Sequence, residues 1–368
     1  MSAVAAPRFE VGAPASVQPV SGRSVALDVY RGLIMIFLIS HGFGFGALKD
    51  HPFWSALAAQ VEHVRWEGMV LWDLIQPAFM FMVGVAMPYS FARRRAEDGR
   101  LSPTLHVLRR CLILVFLSQL FVVVQTGRFQ FGLINVLSQI AFTYLICFGL
   151  MHLPFRIQAA AGALLLAGHT LLFYAFPGPE GPFSQQGNVG QRLDHWLLGR
   201  NYSGFYVTIN FVSSAVTTLF GVWAGTLMRS GRPMSWKLRT LTLWGAASVA
   251  AGLVLSPFIP LVKRIWTASF TLYSAGFVIL GLALCVWAID ARGWRRLAYP
   301  AVVVGMNSIF VYCLSQMAYG SINRTVGVFT GRFEWIGVLA PVAQSCATLL
   351  VFWYLCHWLY RNKVFIRV

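Results

Sequence analysis

Apolar runs of about twenty residues recur along this chain, separated by polar breaks, and a run of that length is what one helical crossing of a bilayer requires. Ten are read: 25–47, 69–92, 105–125, 132–152, 157–176, 205–228, 240–257, 266–290, 298–318 and 335–359. The pattern predicts an all-α polytopic membrane protein with about ten transmembrane helices in one bundle. Residues 1–23, rich in Ala, Pro, Ser and Val, lack a long apolar core and read as a disordered cytoplasmic tail ahead of a membrane domain over 24–368. Two breaks on the outward side, 48–68 and 177–204, are long enough to carry function.

Composition agrees with the pattern. Of the 368 residues 57% are hydrophobic and 11% charged, where a soluble domain carries about 25% charged residues. The formal net charge of +17 invites a nucleic-acid reading, but the positions of the charges exclude it. With the N-terminus inside, nineteen of the 29 Lys and Arg flank cytoplasmic ends, Arg109, Arg110, Arg229 and Arg361 among them, and nine lie opposite, with Arg31 inside the first span. This is the positive-inside asymmetry. It predicts both termini on the cytoplasmic face, with lipids as the surrounding partner. The six cysteines all fall inside predicted spans without a CxxC pair, and read as small buried hydrophobes with neither a disulfide framework nor a metal site.

Against this background the ionisable residues stand out, because a charge within a bilayer is costly unless it has a task. His63 lies in a short polar break, ten residues before Asp73. If the second span starts near Glu67, Asp73 lies two turns inside it and requires a partner. One reading folds His63 back from the loop, so that Asp73 orients an imidazole suited to proton or acyl transfer. The other leaves His63 at the interface beside the belt residue Trp66 and pairs Asp73 with Arg31 or a backbone group. Asp28 and Arg31 share a helix face near the inner boundary. They are either a self-neutralised pair or a cradle in which Asp28 holds Arg31 toward an anionic cofactor. Asn135, Asn210, Asn307 and Ser308 sit within spans, as helix-to-helix glue or as the lining of a polar channel. Lys263, after Pro260, either snorkels to the interface or belongs to a substrate site. Walker-type, HExxH, GxSxG and GxGxxG patterns are missing from the sequence.

Taken together, Leu27-Asp28-x-x-Arg31-Gly32, then His63-x-x-Trp66-x-Gly68-x-x-x-x-Asp73-Leu74-x-x-Pro77 before a Phe-rich helix ending Val83-Gly84-Val85, resembles the heparan-alpha-glucosaminide N-acetyltransferase family. The likeness runs collinearly from residue 23. It takes in Val136 to Ala141, the Leu193-Asp194-His195-Trp196-Leu197-Leu198-Gly199 loop, Pro260 to Trp266 with its Lys263, Gly305 to Ile309, and Arg361 to Phe365. It departs at His41-Gly42, Ser138-Gln139 and Asn201-Tyr202-Ser203-Gly204, where the family carries other polar residues. The resemblance implies an integral-membrane acyltransferase moving acetyl from cytoplasmic acetyl-CoA to the amine of a glucosamine-type sugar or glycan on the far side. It places the active-site histidine at His63 and its aspartate at Asp73. Trp66, Glu67 and Lys263 are then expected at the acceptor. Asp28, Arg31, Asn135, Asn210, Asn307 and Ser308 are expected along the donor's path. No nucleic-acid partner is expected, and a homodimer is left open. Rival readings are a transporter or flippase for a sugar or lipid-linked sugar, polysaccharide O-acylation, and a scaffold that has lost activity.

Overall fold

A computed structural model of the protein describes residues 24–96, 103–199 and 206–366; the expected tail over 1–23 lies outside them. The elements are α-helices: α1 (Val25–Ile39), α2 (Ser55–Gln60), α3 (Ile75–Ala96), α4 (Pro103–Thr126), α5 (Val136–Leu150), α6 (Phe155–Ala175), α7 (Val189–Leu198), α8 (Phe211–Arg229), α9 (Met234–Leu255), α10 (Ala268–Cys285), α11 (Arg295–Met306), α12 (Ser308–Thr330) and α13 (Ala340–Arg361). Among the described residues β-structure is confined to isolated bridges, Glu67 with Val262 and Gly178 with Gly181.

Eight stretches of the described chain are long and apolar enough to cross a membrane, and the last of them, Ser308–Arg361, holds both α12 and α13. Counting those two separately and adding the shorter apolar α5 gives ten candidate crossings among the described residues. This is an all-α polytopic membrane protein.

The ninth expected span, 298–318, is corrected. The chain breaks at Asn307, and the crossing helix is α12, Ser308–Thr330. The apolar residues before the break belong to α11, only twelve residues long. Its start follows the end of α10, where Asp290 accepts from the Ser24 hydroxyl. Its end, Asn307, is tied to Val364 and Ile366 beyond α13. Both ends of α11 therefore lie at the Ser24 end of the bundle. Hydropathy runs on through Val302, Val303 and Val304 because α11 is buried beneath neighbouring helices, which looks the same in sequence as burial in lipid.

Two close crossings set the bundle. In α8, Gly221 and Gly225 form a small-xxx-small stripe against α3; a Cβ on Gly221 would stand 2.0 Å from the Phe81 carbonyl oxygen. On α1 a Cβ at Gly32 would meet the Ala301 oxygen of α11 at 1.8 Å. Backbones approach this closely only where side chains vanish, the usual basis of helix association in lipid.

The second span also begins differently from expectation. Residues 65–70 are not helical; the chain enters through a 3-10 turn, Leu71–Leu74, and α3 starts at Ile75. Gly68 has φ +111° and donates its N–H to the Leu261 oxygen at 2.8 Å, so this strand-like strap is held by the 261–262 turn instead of coiling. Asp73 thus sits at the mouth of the span, not two turns within it.

Candidate active site

Three segments converge at the end of the bundle opposite Ser24, where the Trp72 ring meets Phe37 near the end of α1 with centroids 5.3 Å apart. The strap after α2 brings His63. The 3-10 turn brings Asp73. The turn between α9 and α10 brings Lys263. That last turn is rigid for local reasons. Thr267 caps α10 through the Phe270 N–H, accepts from the Val262 N–H and donates to the Pro260 oxygen. Trp266 adopts a left-handed conformation, φ +54°, unusual for a bulky residue. It is held there by full burial, by its N–H bond to the Lys263 oxygen and by the Ser213 hydroxyl donating to its carbonyl. The bend turns Lys263 inward.

Asp73 is the hub, with its side chain 1% exposed. One carboxylate oxygen lies 2.6 Å from His63 Nδ1 and 3.3 Å from Lys263 Nζ; the other accepts the Val70 N–H at 3.3 Å. A carboxylate is an acceptor, so Nδ1 carries the proton and Nε2 keeps its lone pair. Lys263 Nζ stands 3.5 Å from Nδ1, but Nδ1 is already donating, so the ammonium bonds the carboxylate. The His63 side chain is 38% exposed, with one edge toward Trp72.

Burial holds the His63 imidazole below its ordinary value; the Asp73 hydrogen bond opposes this, and the Lys263 and Arg264 charges reinforce it. The ring is neutral at pH 7, the state a base or nucleophile needs. Burial likewise brings the Lys263 ammonium down to about 8, against the attraction of Asp73. Lys263 offsets the charge of Asp73 without placing a proton on the ring.

The expected site residues divide between the two ends. With His63, Asp73 and Lys263 lie Trp66, whose indole N–H donates to the Phe183 oxygen at 3.0 Å, and Glu67, exposed and joined through its backbone to Val262. Asp28 and Arg31 lie near the Ser24 end, 3.9 Å apart. Asn307 and Ser308 are there too, Asn307 fastening the chain after α13. Asn135 caps α5 by accepting the Leu137 N–H. Asn210 is buried at the start of α8.

Gln76, Ser214, Arg264 and Tyr206 escaped sequence reading. Gln76, one turn below Asp73, donates to Gln139, which donates in turn to the Ser214 hydroxyl at 2.8 Å. These groups begin a polar line running inward from the site between α3, α5 and α8. Arg264 lies over the Tyr206 ring at 4.8 Å. Tyr206 is pushed up to about 12 by burial, with Arg264 pulling the other way and the Asp73 charge adding to the rise, so its hydroxyl belongs to the same electrostatic neighbourhood. The spacing of Gln76 from Asp73 was a usable signal; Tyr206 offered none. Among the described residues no group of three or more His, Cys, Asp or Glu is placed to hold a metal ion.

No family model matches the chain. It is similar to the heparan-alpha-glucosaminide N-acetyltransferase of Homo sapiens, 22% identical over 392 aligned residues that cover 82% of this chain and 56% of that protein. It is also similar to that of Mus musculus, 21% identical over 385 residues with the same two coverages. The chain spans about half the length of these curated relatives and is distantly related to them.

Proposed function

We propose that this protein is a membrane acyltransferase that moves an acetyl group from acetyl-CoA to the amine of a glucosamine-type sugar or glycan, with His63 as the reacting group. One observation carries the reading: a neutral imidazole whose Nδ1–H is fixed on a buried carboxylate, itself one turn above the Gln76–Gln139 hydrogen bond. The distant relationship to N-acetyltransferases supports the reaction class. The Lys and Arg asymmetry supports both termini being cytoplasmic, here in a bacterial inner membrane, with His63 on the far side.

The residues divide the work. Asp73 holds the tautomer and stabilises positive charge arising on the ring. Lys263 balances Asp73, so the ring stays unprotonated between turnovers. Trp66, Glu67 and Lys263 border the acceptor's approach. The Gln76–Gln139–Ser214 line, with Asn210, offers hydrogen bonds to the amides of a pantetheine arm reaching from the inner side, where Asp28, Arg31, Asn307 and Ser308 lie. Two routes start from this one state. In the first, Nε2 attacks the thioester carbon; a C–N bond forms, the C–S bond breaks, and the sulfur leaves as thiolate. The sugar amine then takes the acetyl group from Nε2, and its proton passes to the thiolate. In the second, Nε2 takes the amine proton as the amine attacks the thioester directly; the C–N bond forms, the C–S bond breaks, and Nε2 returns the proton to the leaving thiolate.

The test uses the purified full chain with radiolabelled acetyl-CoA and glucosamine. Transfer lost in His63→Ala and retained in His51→Ala is expected. Label trapped on the protein without acceptor selects the first route. Transfer that persists in His63→Ala overturns the mechanism, and a parent protein that transfers to no amino sugar removes the proposed function.

A further inference from the structure

The half of the bundle remote from His63 holds a cation that the site above does not use. Arg110 lies seven residues into α4, about 10 Å from its start at 1.5 Å per residue. A charge serving only to orient the chain would extend to water along its aliphatic stem. Arg110 instead folds against Tyr144 of α5, its guanidinium carbon 4.5 Å from the ring centroid. Tyr144 is fully buried. Arg110 Nε and Tyr144 Oη are both buried without a hydrogen-bond partner.

The aromatic face attracts the cation but accepts no bond from Nε at this geometry, and it leaves the phenol hydroxyl idle. Among the described residues no carboxylate pairs with Arg110. Arg31, by contrast, already has Asp28 at 3.9 Å. Buried polar atoms are nearly always satisfied, and intramembrane arginines are paired or functional. A planar guanidinium stacked on a tyrosine whose hydroxyl is idle is a donor set for a phosphate oxyanion.

The geometry points to a phosphate-binding seat formed by Arg110 and Tyr144, for the phosphate groups of the acyl donor or the phosphodiester of an anionic lipid. The donor source rests on the function proposed above. Its placement suits that source: Tyr144 lies five residues below Gln139, which touches Gln76 one turn below Asp73. That is on the order of 12 Å along the helices, a span an extended pantetheine arm covers.

The full chain in detergent tests this with coenzyme A titrated by calorimetry, S-acetyl-pantetheine as a phosphate-free donor, and phosphatidylglycerol retention read by native mass spectrometry. The variants are Arg110→Ala, Arg110→Lys and Tyr144→Phe, with exposed Arg109→Ala as the control. If the donor is the ligand, Arg110→Ala weakens coenzyme A roughly ten- to a hundredfold, the worth of one or two hydrogen bonds to a charged group. Transfer from S-acetyl-pantetheine is then unchanged, and Arg110→Lys and Tyr144→Phe fall between. If the lipid is the ligand, coenzyme A affinity holds while Arg110→Ala, and not Arg109→Ala, loses phosphatidylglycerol. The seat is overturned if Arg110→Ala binds both probes like the parent, or if Arg109→Ala does equal damage. It is also overturned if Arg110→Ala merely fails to fold while Arg110→Lys and Tyr144→Phe bind both probes like the parent. A parent that transfers no acetyl, yet loses coenzyme A affinity through Arg110→Ala, keeps the seat and sinks the transferase; transfer intact with Arg110 inert does the reverse.

Discussion

Replacing Asp73 with Asn tests the hub of the site with almost no change of shape. Three donors converge on the carboxylate: His63 Nδ1, Lys263 Nζ and the Val70 N–H. An amide offers one accepting oxygen and a nitrogen that only donates. If the nitrogen faces the ring, the His63 proton moves to Nε2 and the reactive lone pair is lost. The corresponding change in hydrolase triads costs about 10⁴ in rate, and a loss on the order of 10³ to 10⁴ is expected here. Stability follows a different account. Lys263, 4% exposed, would be left as a buried cation, and an uncompensated buried charge ordinarily costs about 3–5 kcal/mol. Lys263 has an easier exit, because its ammonium already titrates near 8. At pH 7 releasing the proton costs one pKa unit, about 1.4 kcal/mol. That limits the charge penalty, to which the lost hydrogen bonds add about 1 kcal/mol each. At pH 9 Lys263 is mostly neutral in the parent as well, so the deficit shrinks by about 1.4 kcal/mol. Acetyl transfer and melting by fluorescence-detected size exclusion, each at pH 7 and pH 9, measure both effects. Activity above a tenth of the parent's, or a stability deficit that grows with pH, refutes the reasoning.

Further outcomes follow from the same geometry. Because His63 is held below its ordinary value, the acid limb of kcat/KM lies below pH 6.5. In stability, the preference for neutral imidazole is present above pH 6.5 and lost as pH falls through the folded value. An acid limb above pH 7 in a pH–rate profile contradicts this. Lys263→Met removes a charge that depresses the ring, so the acid limb moves to higher pH; a limb unmoved or shifted down means Lys263 does not act on His63. Gly32→Ala drives a Cβ to within 1.8 Å of the Ala301 oxygen and lowers stability by about 1–3 kcal/mol or more. Gly149→Ala, with nothing within 4 Å, is neutral or slightly stabilising; equal melting losses for both would remove the close-crossing argument.

Much of the architecture was legible in the residues because lipid imposes a simple rule: backbone polar groups must be satisfied within a helix, so crossings appear as long apolar runs. The same rule made Asp73 conspicuous, since an acid at a span requires a reason, and His63 was the nearest imidazole. The rule fails where burial in protein imitates burial in lipid. Val302 to Val304 look like the middle of a crossing, yet they lie in α11, which returns to the Ser24 end, and Asn307 supplies the break. It fails again at Glu67 to Val70, where the local sequence permits a helix but bonds to Leu261 and Val262 hold the chain extended.

The chain's own order of residues therefore determined the helical class, most of the apolar crossings and the conspicuous acid at Asp73, because each follows from solvent preference along one segment. Tertiary structure decided that Lys263, 190 residues from Asp73, completes the His63–Asp73 pair, that Gln139 and Ser214 extend it inward, and that Arg110 meets a buried tyrosine in place of an acid. Those contacts depend on close glycine crossings and on a left-handed bend at Trp266, and no periodicity within a single segment encodes which helix another will touch.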